Sequence, residues 1–270
     1  MYAKRNGLLE EPNWKHLKKY IKSAKILGRM ANQTRLRNIR NQPVYKYGEQ
    51  VPRTHEEAVL IDAKNGNTRW QDSEKLEISQ LMEYDSFESL GIGAPIPDGH
   101  KQVPCHFVYD IKHCGKYKSR LVGGGHRTGA PADSNYSGVV SLQGVRIVSF
   151  LAELNDLELW STDVGNAYLE SYTKEKIAFV AGPEFGEYEG HTMVIRKALY
   201  GLKSSGKCWH DRLHDVLRSL GFTPSKIEED IWMRDMGDHY EYLAVYVDDI
   251  LIASRNPKAI LDTLMSDPIK

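Results

Sequence analysis

The sequence predicts an α+β fold: an antiparallel sheet with helices packed on one face. Three observations predict it. Segments such as "VPCHFVYDIK", "HYEYLAVYV" and "ILIAS" are short, rich in β-branched and aromatic residues, and bounded by turn formers, as strands are. "GVRIVSFLAELN" and "KCWHDRLHDVLRSLG" instead repeat apolar residues at helical spacing. Strands and helices are mixed rather than strictly alternating, which favours an antiparallel sheet over a βαβ series.

The elements follow in order. Residues 1–53 form a basic arm, read as a partly disordered linker. Leu17, Ile21, Ile26 and Leu27 lie near helical spacing, enough for one short amphipathic helix. Residues 32–52 read as loop. The folded part runs from 54 to 270. Thr54 and Glu57 make a capping box, so "HEEAVLIDAK" is predicted helical, and Asn65-Gly66-Asn67 stops it. "RWQDSEKLEISQLMEYDSF" is a second helix and "GIGAPIPDG" a connector. "VPCHFVYDIK" and "YKSRLVGGG", separated by "HCGK", read as a hairpin. Val145, Val148 and Leu151 mark a buried helix, and "LELWSTDV" a strand. An amphipathic helix ends at Gly221. Strands "IWMRD", "HYEYLAVYV" and "ILIAS" complete the order.

Bulk properties exclude several classes. At 41% apolar and 27% charged residues the chain is an ordinary globular mixture. Net charge is zero, but Met1 to His55 hold 13 Lys/Arg against 3 Asp/Glu, about +10, and the remainder about −10. A basic arm ahead of an acidic body fits nucleic-acid contact or a solvated linker equally. The three cysteines form no metal-ligand pair, which points to reduced thiols in an intracellular compartment. No run of 18 apolar residues exists and the first residues lack an apolar signal core, so no membrane partner is expected.

The chemistry begins at "YVDDILIA", Tyr246 to Ala253. Apolar runs on both sides leave Asp248 and Asp249 in a two-residue turn. Aspartate is a common turn former, so the octapeptide alone is evenly balanced between a turn and half of a metal site. Asp163 ends the strand "LELWSTD" and is a candidate third carboxylate. Converging carboxylates repel one another unless cations neutralise them. Magnesium suits such oxygen ligands and substrate phosphates. In "KALYGLKSSGKCW", Gly201 and Gly206 bracket Lys203; this fits a backbone close to a ligand, or a helix cap. Lys116, Lys118 and Arg120 alternate on one strand face, either solvated or gripping a triphosphate.

Taken in order, "STDVGNAYLE", "KALYGLKSSGKCW" and "YVDDILIAS" resemble motifs A, B and C of copia-type retrotransposon reverse transcriptases. "YKSRLVGGG" resembles the finger segment of that family, and "SGVVSLQGVRIVSFLAE" its following helix. The resemblance implies fingers and palm, with no complete thumb and no RNase H segment before the chain ends. Asp163 and Asp248 then correspond to the palm metal ligands, with Asp249 less directly engaged. The implied cofactor is a pair of Mg²⁺ ions, for which Mn²⁺ can substitute. Tyr168 matches the aromatic residue that blocks a ribose 2′-hydroxyl. Lys118 and Arg120 match the cations holding the incoming triphosphate. Tyr200, Gly201 and Lys203 match the turn beside the nascent base pair, and Tyr246 the neighbour of the primer terminus. Gly123 to His126, Gly138 and Ser204 depart from the family pattern. The implied partners are an RNA or DNA template with its primer, deoxynucleoside triphosphates and other parts of a polyprotein. The implied location is a cytoplasmic virus-like particle or the nucleus. The alternative is an inactive relic that only binds nucleic acid.

Overall fold

The structure, a computed structural model, describes residues 25–26, 28–29, 42–127 and 136–266. The chain divides into two compact units, Met1–Val51 and Pro52–Lys270. In the first, Tyr47 and Gly48 both have positive φ, 51° and 85°. That turn geometry matches strand twist. It closes a hairpin of β1 (Val44–Lys46) and β2 (Glu49–Val51), where the composition predicts loop. The helix predicted around Leu17 to Leu27 lies almost wholly outside the described residues.

The second unit begins as the capping box predicts. Thr54 Oγ1 accepts from the Glu57 N–H at 3.2 Å, opening α1 (His55–Asn65), and Gly66 at φ 63° closes it. Buried Asp62 accepts from the N–H groups of Trp70 and Gln71 at 3.2 and 3.0 Å. A carboxylate thus holds the N-terminus of α2 (Arg69–Glu83). Next come β3 (Phe87–Ile92), β4 (Lys101–Gln102), β5 (Cys105–Ile111) and β6 (Tyr117–Gly123). β5 and β6 are the expected hairpin. α2 packs on it, with Trp70 edge-on to Tyr109 and Tyr117.

The remaining elements are α3 (Leu142–Leu154), β7 (Glu158–Asp163), β8 (Ile177–Val180), β9 (His191–Ile195) and α4 (Ser205–Ser219). β10 (Thr223–Pro224), β11 (Ile231–Asp235), β12 (Tyr240–Tyr246), β13 (Asp249–Ser254) and α5 (Pro257–Ser266) follow. One sheet has the order β3-β9-β8-β4 and is clasped by Phe87, Phe179 and Phe185. The other runs β10-β11-β12-β13-β7 and is antiparallel throughout.

The helices of this second sheet lie on both faces, not one. Trp232, Leu243, Val245, Ile250 and Ile252 pack with Trp209, Leu213 and Leu217 of α4 and with Ile260 and Leu264 of α5. The alternate residues Ile231, Ala244 and Ala253 pack with Val148 and Ala152 of α3. The cause is visible in β12 and β13. "LAV" and "ILIA" are apolar at successive positions, so neither face can be left to water. Small alanines at 244 and 253 admit the α3 helix closely.

Candidate active site

The turn between β12 and β13 consists of Val247 and Asp248, closed by the pair Tyr246↔Asp249. Asp249 therefore starts a strand and is not in the turn, one residue away from the position the apolar pattern predicts. Register decides this. Leu243↔Ile252 and Val245↔Ile250 both face the α4 core, and a one-residue slip would turn these large side chains onto the α3 face, where Ala244 and Ala253 sit. Val247 takes φ 57°, a left-handed conformation that costs a β-branched residue about 1–3 kcal/mol. Its side chain packs on the α4 core, and its carbonyl accepts from Trp209 Nε1 at 2.8 Å. These contacts hold the strained turn.

Asp163 is the last residue of β7 and lies directly opposite Asp249. The N–H of Val164 donates to the Asp248 carbonyl at 2.8 Å. Three aspartates therefore lie at one end of the sheet. Asp163 and Asp248 line a cleft of about 330 Å³ together with Lys116, Lys118, Arg120 and Glu77. Asp249 is exposed and does not line it. Among the described residues none of the three side-chain carboxylates makes a hydrogen bond or ion pair. With no ion pair to neutralise them among the described residues, this donor set fits hard divalent cations.

The cations come from β6 and from Lys116 just before it. Its alternation turns Ser119 and Leu121 into the protein and leaves Lys116, Lys118 and Arg120 along the cleft. Glu77 reaches in from α2 and accepts from the Leu121 N–H at 3.2 Å. Burial raises its carboxyl pKa, opposed by that N–H and by Lys118 and Arg120. Burial, then neighbouring Arg120 and Lys112, lower the Lys118 ammonium pKa; Glu77 and Asp163 oppose the shift. Arg120 stacks over Tyr200 at 5.3 Å, and Tyr200 meets Tyr168 edge-on at 4.8 Å. Burial and the charge of Asp248 raise the hydroxyl pKa of Tyr168. One continuous series of contacts thus runs from the β6 cations to the aromatic residue after β7.

Other predicted residues fall elsewhere. Gly201 has φ 85°, and a Cβ there would stand 2.4 Å from both Gly123 O and Val122 Cγ1. The Gly123 N–H donates to Tyr200 O at 2.8 Å. A Cβ on Gly125 would lie 2.2 Å from Gly201 O. These glycines let the 199–202 loop lie against β6; the close partner is backbone. Gly201 and Lys203 do not line the cleft, and Tyr246 is 53% exposed. Glu77 escapes sequence reading, because its partner at Leu121 is 44 residues away. So does Glu175, whose Oε1 accepts from Ser204 N at 3.1 Å and Ser204 Oγ at 2.6 Å.

With paired carboxylates at a β-hairpin and a cationic strand facing them, the class follows from comparison. A family model described as reverse transcriptase (RNA-dependent DNA polymerase) matches residues 94–266, and the chain belongs to that family. Its relatives are Pol polyproteins of copia-type transposons. The retrovirus-related Pol polyprotein from transposon RE1 of Arabidopsis thaliana is 28% identical over 236 residues, 84% of this chain and 16% of that protein. That from transposon RE2 of the same plant is 27% identical over 82% of this chain and 16% of its own length. That from transposon TNT 1-94 of Nicotiana tabacum is 28% identical over 64% of this chain and 14% of its own. The chain thus spans a small part of these relatives. A solved foamy viral protease-reverse transcriptase in complex with double-stranded DNA covers 73% of this chain and 28% of its own, at 17% identity and TM-score 0.36.

Proposed function

We propose that the chain carries out template-directed DNA synthesis by nucleotidyl transfer. The observation that carries this reading is the shared cleft: Asp163 and Asp248 on one side, Lys116, Lys118 and Arg120 on the other. The primer 3′-hydroxyl oxygen forms a bond to the α-phosphorus of a deoxynucleoside triphosphate. The bond to pyrophosphate breaks, and the hydroxyl proton is released. Asp163 and Asp248 would hold two Mg²⁺ ions, with Mn²⁺ as substitute. When bound, such ions favour the alkoxide and neutralise charge on attacking and leaving oxygens.

The chain's own groups do the rest. Lys118 and Arg120 bind and orient the triphosphate, and the charge they neutralise grows as pyrophosphate leaves. The Tyr200 ring stacks against Arg120, and the charge of Glu77 faces both cations. Tyr168, braced edge-on by Tyr200, is the floor against which a 2′-hydroxyl would clash. Gly201, Lys203 and Tyr246 contact template and primer. Partners are a primed RNA or DNA template and other parts of the polyprotein.

A second reading, nucleic-acid binding alone, draws on the roughly +10 charge of Met1 to His55. Primer extension on poly(rA)/oligo(dT) with Mg²⁺ separates the two. The proposal predicts dTMP addition that an Asp248→Asn, Asp249→Asn double variant lacks. Salt-sensitive binding with no addition above that variant supports the second reading instead.

A further inference from the structure

His210 and His214 stand one turn apart on α4, with ring centroids 3.7 Å apart. Asp230, the residue before β11, faces both. Its Oδ1 lies 3.0 Å from His210 Nε2 and 3.5 Å from His214 Nε2. Asp230 is 4% exposed and His214 7% exposed. One ligand-capable atom from each of the three residues lies within 4.8 Å of the others. His214 Nε2 is buried without a hydrogen-bond partner among the described residues. Trp232 closes the far side, edge-on to His214 at 4.7 Å.

As a plain ion pair this arrangement is poorly matched. One carboxylate oxygen serves two stacked imidazoles. If both were protonated, two buried cations would share one anion. If one stays neutral, His214 keeps a buried nitrogen idle, which is costly. A divalent ion removes the conflict. It takes a lone pair from each neutral imidazole and a charge from the carboxylate.

We propose that His210, His214 and Asp230 form a second cation site, distinct from the aspartates of the cleft, suited to zinc or a related late first-row divalent ion. Two imidazoles and one carboxylate are the ligand chemistry such ions prefer, and magnesium does not. The ion would tie α4 to the segment entering β11. His210 and His214 also line a separate cleft of about 960 Å³, which gives entry and a place for a water ligand. His210 Nδ1 has no acceptor among the described residues, so the site binds more weakly than one with a complete outer shell.

The test uses the full chain carrying Asp163→Asn and Asp248→Asn, so that the polymerase cleft contributes no ligand. Chelator-treated protein is titrated with Co²⁺ and followed by visible absorption. The expected result is one equivalent of Co²⁺ with imidazole-type ligand-field bands, displaced by Zn²⁺ and not by Mg²⁺. In the same background, His210→Gln and Asp230→Asn should each weaken binding at least about tenfold. Zn²⁺ should raise Tm in the parent and not in His210→Gln, whose ring is the more exposed of the two histidines; circular dichroism confirms its fold. No stoichiometric Co²⁺ binding, or equal binding by folded His210→Gln, overturns the proposal.

Discussion

Asp249 and Asp163 are direct cross-strand partners on β13 and β7, yet it is Asp248 that shares a cleft with Asp163. The turn makes the difference. Asp248 sits at the second turn position, and its backbone carbonyl is held by the Val164 N–H next to Asp163. Asp249, the first residue of β13, stays exposed beside the cleft. Neighbours in sequence are thereby given different surroundings.

The strain at Val247 has a measurable consequence. Val247→Gly removes side-chain packing but also releases the positive φ, so the two effects offset. Its stability should stay within about 1 kcal/mol of the parent. Val245→Gly, two residues earlier on β12 with no positive φ to relieve, should cost about 2–4 kcal/mol. Urea unfolding of the two variants checks this, and equal losses would contradict a strained turn.

Gly201→Ala should be disproportionately harmful. It combines a φ of 85° with a Cβ 2.4 Å from Gly123 O. A loss of about 2–4 kcal/mol is expected. Gly115→Ala, at φ 80° with open space around it, should lose only about 1–2 kcal/mol. Parallel thermal melts compare them.

Tyr168→Ala should open the floor under the sugar. Ribonucleotide incorporation relative to deoxynucleotide should rise at least about tenfold, measured by competing rUTP and dTTP opposite rA. An unchanged ratio would remove Tyr168 from the selectivity role.

Glu74 gives a pH dependence. It lies buried on α2, receiving the Tyr109 hydroxyl and 2.8 Å from His55 Nδ1. Burial raises its pKa, more than Tyr109 and His55 lower it. The folded state therefore holds this proton more tightly than the unfolded state. Its stabilising effect is full below the ordinary carboxylate pKa and is lost as pH rises through the raised one. Glu74→Gln does not titrate, so its Tm relative to wild type should increase as pH rises from 4.5. A difference that stays flat with pH contradicts this.

Local signals made part of this protein legible. The capping box at Thr54, the β5–β6 hairpin, helices α3 and α4, and the strand ending at Asp163 all follow from patterns within a few residues. The β3-β9-β8-β4 sheet does not. "IAFV" is too short and uniformly apolar to show a period, and "HTMVI" is little better. The second helical layer was hidden for a related reason: an apolar run shows burial but not what buries it. At the site, the carboxylates and cations were readable because their chemistry is unusual. Glu77 and Glu175 were not, because an acid on a helix or loop looks solvated until its partner, 44 or 29 residues away, is in place.

The measurement that bears most directly on the central claim is single-nucleotide dTMP addition to oligo(dT) on poly(rA), with Mg²⁺, compared across Asp163→Asn, Asp248→Asn and Asp249→Asn. Losses of at least about a hundredfold are expected for the first two, since each would remove a metal ligand supplying several kcal/mol to the transition state. Asp249→Asn should retain clearly more activity than either. Equal loss at all three positions, or retained activity in Asp248→Asn, would contradict the assignment of Asp163 and Asp248 as the pair that holds the catalytic ions.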